Sequence, residues 1–219
     1  MLVGHYGPSY LGKGLSRTLP IWALFLAVQL LDILWSIFVL LGIEKVRIVP
    51  GITASNALDL YFMPYTHSLV AGLAWSLAAG SVWWLFDRVE DRRKNSVIIG
   101  AAVFSHWILD LVVHRPDLAL YDDTMKMGLG LWNHRVLSLV AEAVVLLSGL
   151  VVFLRSPASR PGRRWNRWGT AVFVSLLLLL QAGRAVSRTI PSSDRAAAAS
   201  ALAAYLVFPA IAALFDRRT

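Results

Sequence analysis

The 219-residue chain is 57% hydrophobic with a mean hydropathy of +0.61, more apolar side chain than a soluble domain of this size can bury, so it reads as an integral membrane protein. It contains no cysteine, which excludes disulfides and thiolate metal sites and leaves any metal to nitrogen and oxygen donors. The net charge of +8 would suggest nucleic acid in a soluble protein, but here it sits mostly in short loops, where it reads as topology and lipid-headgroup anchoring and not as nucleic-acid binding.

Six apolar runs approach the roughly 20 residues that a helix needs to cross a bilayer core of about 30 Å. They lie near residues 20–42, 66–86, 96–114, 133–154, 168–186 and 196–215. The expected fold is an all-α membrane protein, one domain over residues 1–219, built as a bundle of about six transmembrane helices. The first run has full spanning length behind a polar, glycine-rich lead, so it reads as a retained helix and not as a cleavable signal. With alternating spans, residues 1–19, the 87–95 loop, the 155–167 loop and the C-terminus share one side and carry 13 of the 21 Lys and Arg residues. The positive-inside rule makes that side, and both termini, cytoplasmic.

Residues 1–19 hold His5 among Gly4, Gly7, Pro8, Gly12 and Gly14, a composition that resists a regular helix. They read either as a frayed, solvated tail or as a re-entrant segment that folds back into the bundle. Pro20 opens the first span, in which Gln29 and Asp32 share a face expected to point inward, Asp32 towards a polar cluster or paired with Arg184 or a helix hydroxyl. Residues 43–65 read as a loop whose later half, with Tyr61 and Tyr65, suits the membrane interface. Thr66 is the expected N-cap of the second span and places His67 in its first turn.

The third span carries SHWILDLVVHRPD, in which His106, Asp110 and His114 stand at successive i, i+4 steps along one stripe, and Pro116 ends the helix. Ionisable groups at membrane depth cost several kcal/mol unless partnered, so this stripe reads as a metal or proton site. Glu142 lies two turns into the fourth span, with Ser138 one turn before it on the same face. The last two spans are plainer, with Gln181 and Arg184 near one end of the fifth and a Pro209 kink in the sixth. No internal repeat and no broken helix pair is apparent. Helical rise puts Asp32, His106 and Glu142 roughly 12 to 15 Å below the outer ends of their helices, Asp110 roughly 6 Å down, and His67, His114 and His134 at the rim. The expectation is a wet cavity opening away from the cytoplasm, with a charged floor and a histidine rim.

The order His5, Asp32, Thr66-His67-Ser68 and then Ser105-His106 with Asp110 resembles the YdjM-like group of predicted bacterial inner-membrane metal-dependent hydrolases. The resemblance covers residues 1–117 and is most specific in pairing THS with SHxxxD. It departs where Pro64 and Tyr65 precede THS and where the Asp32 region lacks a Pro-Asp-x-Asp sequence. It implies a metal centre in the non-cytoplasmic half of a bacterial inner membrane, with His67, His106 and Asp110 as first ligands and Asp32 and His5 completing the set or bridging a second ion. Neutral imidazole and carboxylate suit zinc first, and manganese or iron as well. Such an ion activates a water for hydrolysis, with Glu142 or His114 as general base or as orienter of a ligand imidazole. A cavity reached from the outer leaflet implies membrane lipids as neighbours and a lipid or lipid-linked ester or phosphoester as substrate. The competing expectation is a transporter or proton relay that uses the same His and carboxylate groups without hydrolysis.

Overall fold

The computed structural model describes residues 1–159, 167–187 and 190–214, and over them the chain is a helical membrane bundle. The basic positions Arg160, Arg163, Arg164, Arg217 and Arg218, part of the expected charge asymmetry, lie outside the described residues. The helices are α1 (Tyr6–Leu15), α2 (Ile21–Val28), α3 (Leu30–Leu40), α4 (Pro64–His67), α5 (Leu69–Phe86), α6 (Arg92–Val113), α7 (Arg135–Arg155), α8 (Arg167–Ser187) and α9 (Asp194–Ala213). Five of these, α5 to α9, are long and apolar enough to span a membrane, and α2 and α3, bent by 54° to each other, pass the same test only as a pair, as one broken span or as a re-entrant loop.

The bend falls at Gln29, between α2 and α3, where no proline or glycine marks it. The break is therefore not legible in the sequence, which reads as one continuous span over 20–42. Its consequence is local: the end of α2 leaves carbonyls without intrahelical partners in the middle of the bundle.

Residues 1–15 do not fray. They enter the bundle, and α1 lies along α7 with Tyr6 and Tyr10 buried against Phe25 and Phe153. Pro8 sits in the first turn, where its missing N–H would have had no helical partner. The glycines that argued against a helix are what permit this one: a Cβ at Gly149 would overlap the Gly7 carbonyl, and a Cβ at Gly7 would overlap the carbonyl of Val145. In lipid, where apolar side chains gain little by leaving the bilayer, such backbone-to-backbone approach is a principal source of helix association. At the far end of α1, Lys13 Nζ donates to the Leu19 carbonyl at 2.7 Å and Ser16 Oγ donates to Asn95 Oδ1 at 2.6 Å, which ties the turn before α2 to the start of α6.

The 43–65 segment is more ordered than a loop. β1 (Lys45–Ile48) and β2 (Leu58–Phe62) pair antiparallel, with Arg47 opposite Asp59 and an irregularity between Lys45 and Arg47. Asp59 accepts from Arg47 Nε at 2.9 Å and also pairs with Arg115, just beyond α6. Val46 and Leu60 of the hairpin then pack with Trp35, Val39, Met63 and Leu118 as a second apolar cluster over the ends of α3 and α6. Thr66 is not the cap of α5. That role belongs to Ser68, whose Oγ accepts from Ala71 N at 3.1 Å, and it leaves His67 at the end of the separate short helix α4.

Candidate metal centre

Helical spacing on α6 sets His106 and Asp110 one turn apart, and His114 follows at the C-cap. The other elements bring their groups to this stripe: Asp32 from α3, His67 from α4 and His5 from the residue before α1. Asp110 is the hub. Its Oδ1 lies 3.1 Å from His5 Nε2 and 2.8 Å from the Met1 nitrogen, and its Oδ2 lies 3.1 Å from His106 Nε2, 3.4 Å from His114 Nε2 and 3.7 Å from His67 Nε2. Asp32 Oδ1 stands 3.4 Å from His67 Nε2 and 3.6 Å from His106 Nε2. The His5 ring stacks on that of His106 with centroids 3.8 Å apart.

The backbone and neighbouring side chains fix which nitrogen of each ring faces inward. His106 Nδ1 lies 2.7 Å from the Val28 carbonyl freed by the α2–α3 break. A carbonyl only accepts, so Nδ1 carries a proton and Nε2 is the nitrogen that faces the two carboxylates. That Nε2 is buried and has no hydrogen-bond partner. For His67 the logic runs through Thr66, whose Oγ1 donates to Glu44 Oε2 at 2.7 Å and so accepts from His67 Nδ1 at 2.7 Å. Nε2 of His67 and Nε2 of His106 therefore both face the carboxylates of Asp32 and Asp110. A proton satisfies one such pair; a divalent ion would satisfy three groups at once, in the set His67, His106 and Asp110 or in the set His5, Asp32 and His106.

The spacing agrees with that. Bonds of about 2.0 to 2.2 Å put neighbouring donors about 2.8 to 3.6 Å apart in octahedral or tetrahedral shells. The four distances among His67, His106, Asp32 and Asp110 run from 3.1 to 3.7 Å. Two overlapping donor groups can hold an ion, His5 with Asp32 and His106, and His67 with His106 and Asp110. Because His106 Nδ1 is engaged, His106 has one lone pair and can serve only one ion, so a second ion would have to bind without it.

His114 has its own partner. Its Nδ1 lies 2.8 Å from Asp117 Oδ1, Asp117 is held by Arg115 Nε at 3.3 Å, and Trp132 covers the ring at 4.2 Å between centroids. Burial pushes the His114 pKa down, but Asp110 and Asp117 outweigh it and hold the ring above its ordinary value. Glu44 shows the opposite balance: burial pushes its carboxyl up, against the pull of His67 and of hydrogen bonds from Thr66 and Tyr65.

The cluster is not an open, wet cavity. His5, His67, His106, Asp110 and His114 are almost wholly buried, and only the Asp32 side chain, at 14% exposure, reaches outward. The hairpin and the 114–134 segment close the rim that the sequence left open, because Asp59 links Arg47 of the hairpin to Arg115 next to His114. His134, expected at that rim, is exposed and outside the cluster. Asp32 does not need Arg184, which is exposed on α8; its partners are His67, His106 and the Tyr205 hydroxyl. Glu142, expected as a general base or as the orienter of a ligand imidazole, is buried, and its Oε2 accepts from the backbone of Leu2, Val3 and Gly4.

Sequence reading missed Glu44, Asp117 and Tyr205. Asp117 carried a usable signal, standing three residues after His114; Glu44 and Tyr205 reach the site only through tertiary contact. Thr66→Val should weaken binding of a divalent ion by about 10- to 100-fold, the usual loss on removing an outer partner of a ligand imidazole, read by competition with a chromophoric chelator. Comparison of the chain with protein-family models, with curated proteins and with solved structures returns no match.

Proposed function

We propose that the protein is a membrane-embedded metal-dependent hydrolase acting on a lipid or lipid-linked ester or phosphoester, in line with its resemblance to the YdjM-like group. The observation that carries this reading is the buried Nε2 of His106, which makes no well-formed hydrogen bond although the carboxylates of Asp110 and Asp32 stand 3.1 and 3.6 Å from it, at ligand spacing. His67, His106, Asp32 and Asp110 would hold the ion, with His5 beside them; zinc suits the donor set best, and manganese or iron also fit it. A divalent ion in such a site supplies Lewis acidity and lowers the pKa of a bound water towards about 7.

The chain's own groups supply the rest. Asp117 fixes Nδ1 of His114 as the protonated nitrogen, which leaves Nε2, at the edge of the centre, to take and return a proton. Closure by the hairpin and the second apolar cluster excludes water and strengthens each electrostatic contact inside. An apolar groove of about 630 Å³ between α3 and α5, lined by Phe38, Ile43, Pro64, Tyr65 and Trp75, runs beside the short helix that carries His67 and is of a size to take an acyl chain.

The test is hydrolysis of short- and long-chain esters and phosphoesters by the detergent-purified protein with zinc or manganese. Metal-dependent turnover that His114→Ala lowers by about 100-fold or more supports the reading, that being the usual contribution of a positioned acid–base group. Metal binding without turnover of any ester or phosphoester counts against it. The bend at Gln29 favours one second reading, transport of a cation or proton, since broken helices carry the ion sites of many transporters. Flux into liposomes without hydrolysis would select it.

A further inference from the structure

Three consecutive backbone amides converge on one carboxylate oxygen far from them in sequence. Glu142 Oε2 accepts from Leu2 N at 3.0 Å, Val3 N at 2.9 Å and Gly4 N at 3.2 Å. From the opposite side Gln29 Nε2 donates to the Leu2 carbonyl at 3.1 Å. The next residue is His5. Three N–H donors on one ionised oxygen are charge-assisted bonds in a buried setting, where they are strong and directional. One helical turn and two turns further along α7, Val145 and Gly149 receive Gly7 at a separation that admits no side chain at either glycine.

We infer that Glu142 and Gly149 are positioning residues whose task is to dock residues 1–15 and so deliver His5 to the metal centre. This rests on the metal reading above. His5 stands in a short stretch that the spanning helices do not themselves hold; its place against His106 and Asp110 follows from how α1 seats on α7. Glu142 and Gly149 lie on the same side of α7, seven residues apart, so both ends of the docking surface come from one helix face. Loss of either should therefore reproduce the loss of His5 although neither touches the ion.

The experiment compares His5→Ala, Glu142→Gln and Gly149→Val in zinc affinity, alone and combined with His5→Ala. A Val3→Cys reporter is added because the chain has no cysteine and Val3 is fully buried. Expected are similar losses of about 10- to 100-fold for the three single variants, no further loss when Glu142→Gln or Gly149→Val is placed on His5→Ala, and a reporter thiol that resists maleimide until Glu142 or Gly149 is changed. The inference is overturned if the losses multiply, or if the thiol stays protected in both docking variants. A wild-type chain that takes up no metal sinks the metal reading itself, an outcome distinct from metal binding that ignores Glu142.

Discussion

Replacing His106 with alanine should abolish metal binding at ordinary concentrations, a loss greater than the roughly 100-fold that ends the range for outer-sphere changes. Nε2 of His106 is within 3.1 to 3.6 Å of both carboxylates, and its Nδ1 bond to Val28 leaves no freedom to turn away. Asp110→Asn should do as much for a second reason. Its two oxygens meet four imidazoles and the Met1 nitrogen, so an amide removes the negative charge on which the whole cluster depends. Isothermal titration with zinc separates the alternatives: a variant that is folded but silent agrees with direct ligation, and a near-wild-type isotherm for His106→Ala contradicts it. Glu142→Gln should fall between these extremes, since it acts through His5 alone.

Stripping the metal should lower thermal stability by a wide margin. An ion present at about 1,000 times its dissociation constant stabilises the state that binds it by about 4 kcal/mol, and for a chain of 150 to 250 residues each kcal/mol moves the melting temperature by about 2 to 4 °C. Chelation is therefore expected to cost roughly 8 to 16 °C in detergent. The centre ties α3, α4, α6 and the segment before α1 together, so the loss should be shared by probes on all of them. His106→Ala should already melt at the lower temperature and should not respond to chelator. A wild-type melting temperature unmoved by chelation would mean that the cluster is held by protons and hydrogen bonds alone.

Hydropathy made the spans legible. The expected 66–86, 133–154 and 168–186 runs meet helices at Leu69–Phe86, Arg135–Arg155 and Arg167–Ser187, because bilayer thickness sets length and composition sets identity. The α6 stripe was legible for the same local reason: i, i+4 spacing is fixed by the helix. What sequence could not give depended on distant pairs. Whether His5 joins the cluster turns on the Gly7–Gly149 approach, which involves no side chain and leaves no periodic trace. Glu44 contacts Thr66 across 22 positions, and the cap of α5 is Ser68 and not Thr66. The bend at Gln29 has neither proline nor glycine to announce it, yet it frees the carbonyl that orients His106. Depth along each helix by itself implies an open cavity, while closure is the work of a hairpin held by Asp59 between Arg47 and Arg115.

The most direct measurement is elemental analysis of the detergent-purified wild-type chain beside His106→Ala. One bound zinc, manganese or iron per chain, missing from the variant, is the result that the metal reading predicts, given that His106 has a single nitrogen to offer. A folded wild-type protein that carries no transition metal and takes none up on titration would contradict the account at its root.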